Sequence, residues 1–430
     1  MKIVFATWGS YGDLHPYMAI ALELQRRGHR CVIATSSIYR EKVEAAGLEF
    51  FNVRPDLPEP DSAEAAEMIR RVSDTWSGPE YLFRELLTPK IRETYEDTLA
   101  AVEADGGADL LVSHQVALTA PIVAAKTGVK WISCVLFPIS FASVYDPPTP
   151  PQFPPIRSLV ALHPLIAKPL MEIGKWSMES WVEPIQELRR ELGLARSAHP
   201  IFEGQHSPTR VLALFSKHFA RMQPDFPANT VITGFPFYDE PNAEVQPELM
   251  QFLDGGEPPI LFTLGSSLVW SAGDFYRVSI EAAKRLGKRA LLLIGDKRNL
   301  PQEKLPEGIA AFDYAPHNLV MPRCSAIVHQ GGIGTTAQAL RSGRPMLIVP
   351  HGQDQPDNAR RCVELDVALT LTPASYTAAR VTAELSQMID NSEIQMRASG
   401  VGEQVRAEHG TMTACREIER VLAECVNNSV

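Results

Sequence analysis

The sequence feature that most constrains the fold is a regular alternation of short apolar runs with amphipathic stretches. Near the amino end, residues 2–7 are rich in β-forming side chains, and after the turn WGSYGD the segment 16–27 has helical periodicity. A second apolar run at 31–35 and a second helical segment at 38–46 follow. Strands that are apolar on both faces and alternate with helices predict an α/β fold with a parallel sheet covered by helices.

The alternation continues to the carboxyl end of the chain. After a mostly helical stretch at 55–105, strands are predicted at 109–113 and 130–135, and a second rhythm is predicted to begin near 210–215. Its further strands are expected at 259–264, 290–294, 309–312, 326–329 and 346–350. Because a single hydrophobic core stops growing at about 250–300 residues, a chain of 430 residues predicts two such doubly wound domains.

Proline-rich segments suggest where the chain divides. The first domain is expected at 1–223 and the second at 224–410, because prolines cluster around 224–241. An amphipathic last helix within 411–430 is expected to pack back on the first domain. The denser stretch DPPTPPQFPP at 146–155 cannot form a helix or a central strand, and whether this loop is a lid is left open.

Charge, cysteine content and hydropathy exclude several classes of partner. The net charge is −10 and no basic block stands out, so nucleic acid and anionic membranes are disfavoured. There is no signal peptide pattern, and no apolar run approaches the ~20 residues of a membrane span. The scattered cysteines are typical of reduced residues in a cytoplasmic protein, with peripheral membrane contact left open. They are Cys31, Cys134, Cys324, Cys362, Cys415 and Cys425.

The densest chemical signal is the segment HQGGIGTTAQALRSGRPMLIVPHGQDQ at 329–355. A predicted strand ends at His329, and a Gly-rich turn then opens a helix near Thr335. Ligands of an open α/β sheet bind beyond the carboxyl ends of its strands. A helix N-terminus there offers unpaired N–H groups and a positive dipole end, which suit phosphate. The segment therefore predicts a phosphate site.

The residue types in this segment suit a sugar diphosphate. His329 and Thr335 can donate hydrogen bonds to phosphate oxygens. Asp354 and Gln355, in the next turn, carry groups suited to sugar hydroxyls. Three glycines let the backbone approach the ligand closely. They are Gly331, Gly332 and Gly334.

These residues resemble the donor-binding signature of the nucleotide-sugar glycosyltransferases, which include plant UDP-glycosyltransferases, sterol glucosyltransferases and bacterial rhamnolipid-type transferases. The resemblance spans most of the chain and includes TGFPFYD (233–239), LFTLGSS (261–267) and YAPHNLVMPRC (314–324). It implies the GT-B fold, with two facing doubly wound (Rossmann-like) parallel-sheet domains and a cleft between them. The first domain would bind the acceptor and the second the nucleotide sugar.

The resemblance also implies roles for single residues. Tyr314 and Ala315 match the place that holds the nucleobase, and Ser266 matches a serine near the diphosphate. The implied donor-binding set is Gly12, Ser266, Tyr314, Ala315, His317, His329, Gly331, Gly332, Gly334, Thr335, Asp354 and Gln355. The plant branch holds the ribose with a Glu at the position of Ala337. UDP is favoured, but this departure leaves TDP open, and glucose is favoured over a deoxysugar such as rhamnose because Asp-Gln is usual for glucosyl donors.

The loop WGSYGDLHP at 8–16 resembles the family loop that carries the general base. Plant members have a catalytic His at the position of Asp13, so Asp13 is the implied base, with His15 as the alternative. A carboxylate has an ordinary pKa of about 3.9, so it can take the proton only as the proton leaves in the transition state. Asp13 could alternatively, or in addition, cap the following helix. No relay carboxylate is evident in the later segment LVSHQ, which contains Ser113 and His114.

Two further expectations concern the acceptor site and the need for a metal ion. Apolar and aromatic residues after the strand at 130–135 and in the helical region beyond it suggest an apolar acceptor. The candidates are His114, Phe137, Phe141, Tyr145 and Trp176. The chain has no D-x-D motif, so we expect no metal and no other cofactor, with preorganised donors stabilising the leaving group. Direct displacement with one base would invert the anomeric carbon.

Three other classes of protein would share parts of this pattern. A sugar-nucleotide 2-epimerase would share the architecture and act on the donor alone. A non-catalytic partner protein would be expected to lose Asp13, His329 or Asp354, and all three are present. A NAD-linked dehydrogenase needs a G-x-G-x-x-G spacing that the first loop lacks.

Overall fold

The computed structural model describes residues 1–148, 163–240, 245–301 and 304–427, with side chains to residue 424. Most of the proline-rich stretch at 146–155 lies outside these residues, so its role as a lid stays a prediction. The chain forms two compact units. Unit 1 is Met1–Glu59, Trp76–Tyr238 and Glu408–Val430, and unit 2 is Pro60–Thr75 and Asp239–Ala407.

All strands of the described residues are parallel, as the sequence predicts. They are β1 Lys2–Ala6, β2 Arg30–Thr35, β3 Glu49–Asn52, β4 Leu110–Ser113, β5 Lys130–Val135, β6 Arg210–Ala213, β7 Thr230–Ile232, β8 Ile260–Thr263, β9 Ala290–Leu293, β10 Ile309–Phe312, β11 Ala326–His329, β12 Met346–Ile348 and β13 Ala368–Thr370. The first sheet has the order β3-β2-β1-β4-β5-β6-β7, and the second has the order β10-β9-β8-β11-β12-β13.

Helices connect most of the strands, as expected for right-handed parallel crossovers. They are α1 Tyr11–Arg26, α2 Arg40–Ala45, α3 Ala63–Val72, α4 Gly78–Glu80, α5 Ile91–Glu103, α6 Ala120–Thr127, α7 Pro164–Ser177, α8 Glu183–Glu191, α9 Pro247–Asp254, α10 Phe275–Leu286, α11 His317–Val320, α12 Ile333–Ser342, α13 Gln355–Glu364, α14 Ala378–Asp390, α15 Ser392–Ala407 and α16 Gly410–Asn427. A π-helical segment, Tyr81–Leu87, follows α4. In the described part of the chain, no helix is both long and apolar enough to cross a bilayer.

The sheet order corrects one expectation. A second rhythm was predicted to begin near 210–215, but β6 pairs with β5 and β7 pairs with β6, so both strands complete the first sheet. Hydrophobic periodicity identifies a strand without saying which sheet it joins, and this explains the error. The expected domain divisions were 223/224 and 410/411, whereas the units divide after Tyr238 and after Ala407.

The start of α1 corrects a second expectation. The helix was predicted to begin at Pro16, but it begins at Tyr11 and Pro16 lies inside it. Ser10 is the N-cap, and Asp13 accepts a hydrogen bond from the Ser10 N–H at 2.8 Å, which forms a capping box. Asp13 is therefore not the N-cap that the sequence left open. His15 lies in the second turn and not at the start.

The last helix, α16, belongs to unit 1 and contacts α1. Arg27 donates to Glu419 at 2.8 Å, and the buried Cys415 lies against the Ile20 carbonyl. Four further cysteines are buried free thiols: Cys31, Cys134, Cys324 and Cys362. Their burial fits the reduced core residues that the sequence predicts.

An aromatic cluster in unit 1 leads to a prediction about acid stability. The ring of Phe141 stacks on Phe226 and His206, with centroids 3.9 and 5.3 Å away. Burial lowers the pKa of His206 from 6.5 to about 4. The unfolded chain therefore binds this proton more readily between these two values, so stability is retained above about pH 6.5 and falls as the pH drops toward 4.

We expect His206→Phe to reduce this loss, because phenylalanine takes up no proton. Urea unfolding at pH 7 and at pH 5 should show a pH-dependent loss smaller by about 2 kcal/mol in the variant than in the wild type. Equal losses in the two proteins would contradict the assignment of this proton to His206.

Candidate active site

The strongest candidate site in unit 2 lies at the carboxyl edge of its sheet. The sheet order changes direction between β8 and β11, which is where ligands bind in doubly wound folds. Ser266 follows β8 and is exposed, and His329 ends β11. Asp354 and Gln355 follow β12, the next strand. The sheet therefore brings together residues that are far apart in the sequence.

The hydrogen bonds of His329 determine its protonation. The side chain is fully buried, and its Nδ1 accepts the Gly331 N–H at 3.0 Å, so the ring proton is on Nε2. Nε2 has no hydrogen-bond partner among the described residues. Burial, with His317 nearby, lowers the pKa of His329 to about 3, and burial lowers that of His317 to about 4. At neutral pH His329 is thus an uncharged donor with a spare N–H.

The Gly-rich turn leaves no room for side chains. Gly331 has φ +91°, and a Cβ there would lie 2.9 Å from Ile348 Cγ2. Gly265, with φ +68°, could not carry a Cβ without overlapping Gln330. Gly332 is the N-cap of α12 and has no side chain to bond the first N–H groups of the helix, of which the Ile333 N–H is bonded by Asp354. An anion can take that place.

Asp354 and Gln355 are held by hydrogen bonds within unit 2. Asp354 Oδ2 accepts the Ile333 N–H at 3.2 Å and the Asn358 side-chain amide at 2.6 Å. Asn358 is fully buried and also donates to the Gly331 carbonyl at 2.9 Å. Gln355 accepts the His351 N–H through Oε1 at 2.9 Å. Asn358 therefore joins the Gly-rich turn to the Asp-Gln pair.

Sequence reasoning missed Asn358, although its spacing could have indicated it. It lies four residues after Asp354, which places both on one face of α13. The remaining predicted donor residues lie around the same edge. Thr335 is 7% exposed in the first turn of α12, which also contains Gly334. Ala337, at the ribose position, is buried.

The nucleobase candidates follow β10, at the edge of the sheet. Tyr314 is 60% exposed, whereas Ala315 is buried. His317 begins α11 and is half-buried. Of these three residues, Tyr314 has an aromatic ring suited to stacking on a nucleobase.

A segment from the amino-terminal half of the chain holds the loop that precedes Asp354. Thr75 donates through Oγ1 to the His351 carbonyl at 2.9 Å, and Gln353, at φ +56°, donates to the Val72 carbonyl at 2.7 Å. A Cβ on Gly352 would lie 2.7 Å from the Ser73 carbonyl oxygen. Nothing in the local sequence around 60–75 indicates this role, because the contacts join residues about 280 positions apart.

We expect Thr75→Val, which keeps the side-chain shape, to raise the KM for the nucleotide sugar that the resemblance implies by about 3- to 10-fold, through loss of one hydrogen bond. The kcat should change less, because Thr75 does not reach the reacting atoms. Steady-state kinetics with varied donor measures both, and Thr94→Val, at another side-chain-to-backbone bond, is the matched control. An unchanged KM would show that the loop does not need this bond.

In unit 1, the partly exposed carboxylate of Asp13 lies near the carboxyl ends of β1 and β4. Its side chain is 22% exposed. Oδ2 accepts the Ser10 N–H at 2.8 Å and the Ser10 hydroxyl at 3.1 Å. Oδ1 lies 3.3 Å from Nε2 of the buried His114. Gly12 donates its N–H to Ser10 Oγ in the same turn, at 3.2 Å.

His15, the alternative base, has different neighbours from Asp13. Its ring lies among the rings of Tyr11 and Tyr238, with centroids 5.2 and 4.9 Å away. Tyr39 packs edge-on against Tyr11 and donates to the Gly9 carbonyl. The Tyr39 hydrogen bond joins this group of rings to the loop that carries Asp13.

The acceptor candidates are dispersed over unit 1. Phe137 follows β5 and is half-buried, and Phe141 packs within the aromatic cluster described above. Tyr145 is 51% exposed, in a loop held by Asp225. Trp176 is 78% exposed on α7. His114 is 3% exposed, so little of it is available to a ligand. Among the described residues there is no group of three or more His, Cys, Asp or Glu side chains suited to a metal ion.

Two family models match the chain. Residues 279–424 match the model described as Erythromycin biosynthesis protein CIII-like, C-terminal domain. Residues 3–108 match the model described as Glycosyltransferase family 28 N-terminal domain.

Relatives match over the whole chain. O-mycaminosyltylonolide 6-deoxyallosyltransferase of Streptomyces fradiae is 32% identical, over 97% of this chain and 97% of the relative. Sterol 3-beta-glucosyltransferase UGT80A2 of Arabidopsis thaliana is 26% identical, over 100% of this chain and 67% of that protein. The crystal structure of glycosyltransferase VinC in complex with dTDP has a TM-score of 0.70 at 18% identity and covers 99% and 100% of the two chains.

The two doubly wound parallel sheets and the likeness to VinC define the GT-B fold, as the sequence predicts. The similarity over nearly the full length then identifies the family. The chain belongs to the superfamily of nucleotide-sugar glycosyltransferases that contains the UDP-glycosyltransferases, and it is an enzyme that transfers a sugar.

Proposed function

We propose that the protein transfers a hexose from a nucleotide diphosphate sugar to a hydroxyl of an apolar small molecule or lipid, with inversion and without a metal. The observation that carries this proposal is the carboxyl edge of the second sheet. There a buried His329 N–H, the first turn of α12 with a glycine as its N-cap, and Asp354 with Gln355 lie at the ends of adjacent strands.

The diphosphate would bind at the Gly-rich turn. His329 Nε2 would donate to a phosphate oxygen, and the N–H groups of α12 would add the favourable end of the helix dipole. Both are in place before the reaction, so they would stabilise the negative charge that grows on the leaving nucleotide diphosphate. Ser266 would contact the diphosphate and Tyr314 the base, while Asp354 and Gln355 would bind sugar hydroxyls.

Asp13 would act as the general base. As the acceptor oxygen attacks the anomeric carbon, the hydroxyl proton would pass to the Asp13 carboxylate, and the bond from the anomeric carbon to the phosphate oxygen would break. The new bond forms on the face opposite the leaving group, so the configuration is inverted. The capping box fixes the orientation of the carboxylate while 22% of the side chain stays exposed.

Two nucleotide sugars are candidates for the donor. The Asp-Gln pair favours UDP-glucose, whereas Ala337 leaves the ribose without the plant-type Glu. The relative at 32% identity is named for 6-deoxyallosyl transfer and the VinC structure holds dTDP, which favours a TDP-deoxyhexose. The same relative, named for a macrolide precursor, and the sterol glucosyltransferase support an apolar acceptor such as a natural product or a lipid.

The proposal is tested by product analysis. The protein is incubated with UDP-glucose, TDP-glucose or TDP-rhamnose, each with a sterol or a macrolactone aglycone and with EDTA. We expect mass spectrometry to detect a glycoside, and NMR of its anomeric proton to show that the anomeric configuration is inverted relative to the donor. A reaction without acceptor tests the 2-epimerase alternative, because conversion of the nucleotide sugar alone would favour that enzyme. No product from any pair would count against sugar transfer to these acceptors.

A further inference from the structure

His114 lies beside Asp13 because of the order of the first sheet. β1 and β4 are adjacent, with Ala6 opposite Ser113, so the residues that follow the two strands meet at one edge. The His114 ring is 3% exposed and packs edge-on against Tyr17, with centroids 6.0 Å apart. Its Nε2 lies 3.3 Å from Asp13 Oδ1.

The hydrogen bonds of the ring determine where its proton lies. Nδ1 accepts the Val116 N–H at 3.2 Å, so Nε2 carries the proton, and Nε2 is the ring nitrogen beside the carboxylate. Nε2 completes no hydrogen bond with a described residue. Its contact with Asp13, at 3.3 Å, is within reach of a hydrogen bond but not aligned for one, as is common for catalytic contacts without a bound ligand.

The second sheet places a histidine in the same way. His329 ends β11, which pairs with β8 as β4 pairs with β1, and its Nδ1 also accepts the N–H two residues on. In both cases a glutamine follows, Gln115 and Gln330. Each unit therefore has a buried His-Gln pair at the switch point of its sheet, and the histidine Nε2 has no hydrogen-bond partner among the described residues.

We infer that His114 is a positioning residue for the general base, acting through Asp13 and not on the acceptor. This inference rests on the proposed function of Asp13. Ser10 holds Oδ2 from one side, and the His114 N–H, 3.3 Å from Oδ1, would hold that oxygen from the other side when the acceptor binds. The carboxylate is thereby fixed with a lone pair of Oδ1 left for the acceptor hydroxyl. His114 neither gives nor takes a proton during the step.

The other ionisable groups around Asp13 do not supply this contact. The phenols of Tyr17, on α1, and Tyr39, between β2 and α2, are close enough to interact with the Asp13 charge, but burial raises the pKa of each well above its usual value. His15 lies on the same helix and packs among tyrosine rings. The effect of replacing His114 can therefore be distinguished from effects of these other ionisable groups.

Two substitutions distinguish the roles of the two ring nitrogens of His114. In His114→Asn, the amide oxygen would stay near the Nδ1 position as an acceptor for the Val116 N–H, but the donor to Asp13 would be lost. We expect the kcat of this variant to fall by about 10-fold. His114→Gln keeps a donor near the Nε2 position and should restore most of the rate.

A measurement that does not depend on activity completes the test. Long-range ¹H–¹⁵N NMR spectra of the histidine-labelled protein should show His114 as the Nε2–H tautomer, with a ¹⁵N shift that changes in Asp13→Asn. The opposite tautomer, or a signal insensitive to Asp13, would overturn the inference even if no sugar were transferred. Equal loss of rate in both His114 variants would also overturn it. Absence of transfer by the wild type with the expected NMR result would instead count against the proposed function.

Discussion

Replacing Asp13 with asparagine is expected to lower the kcat of sugar transfer by about 10²–10⁴-fold, the range that a positioned general base contributes. Asparagine can still accept the Ser10 N–H, so α1 keeps its capping interaction while the base is lost. The dissociation constant of the nucleotide sugar should stay unchanged, because the donor residues other than Gly12 lie in unit 2 and Asp13→Asn leaves Gly12 in place. Single-turnover kinetics and calorimetry measure the two quantities.

Ser10→Ala is the matched control for this substitution. It removes the hydroxyl that accepts the Gly12 N–H and contacts Asp13, but it keeps the carboxylate. Loss of an N-cap costs about 1 kcal/mol of stability, and we expect the rate to fall far less than in Asp13→Asn. If Asp13→Asn transfers sugar at the wild-type rate, the base lies elsewhere and His15 becomes the candidate.

Replacing His329 with asparagine should have the second largest effect. Asparagine keeps an acceptor near the Nδ1 position for the Gly331 N–H but has no donor near the Nε2 position. A hydrogen bond to a charged group contributes about 1.5–3 kcal/mol, so donor affinity should fall by about 10- to 100-fold. Because charge grows on the leaving diphosphate, kcat should also fall, by about 10²-fold.

His329→Gln tests which nitrogen is responsible. It places an amide donor near the Nε2 position and should keep donor affinity closer to the wild type than His329→Asn does. Titrations with the free nucleoside diphosphate follow the phosphate contact without the sugar. Equal affinities in the wild type and both variants would show that the diphosphate does not bind through His329.

The sequence predicts the architecture well because its signals are local. Apolar strands, amphipathic helices and the Gly-rich turn are each encoded within a few residues, and the parallel α/β fold follows from their alternation. The start of α1 was misplaced because proline was weighted above the S-x-x-D capping box that begins at Ser10. The sheet that β6 and β7 join depends on pairing with β5, which no local pattern contains.

The residues of the candidate site also fall into two groups, those that a short sequence motif identifies and those that only the fold brings together. His329, Asp354 and Asp13 are recognisable because they lie in short motifs. The contact of His114 with Asp13, the bonds of Asn358 and the attachment of the loop before Asp354 to 60–75 depend on residues that only the fold brings together. The sequence suggested His114 as an acceptor contact, whereas its burial and its Nε2–H lead us to propose a role in holding the base.

The most direct test of the central claim is calorimetric titration of the protein with UDP, TDP, UDP-glucose and TDP-rhamnose in the presence of EDTA. We predict micromolar binding of one nucleotide and of its sugar conjugate, weakened in His329→Asn and unaffected in Asp13→Asn. Such binding would locate the donor at the carboxyl edge of the second sheet and show that no metal is needed for it. Binding of none of the four ligands, or binding that His329→Asn leaves unchanged, would contradict the account.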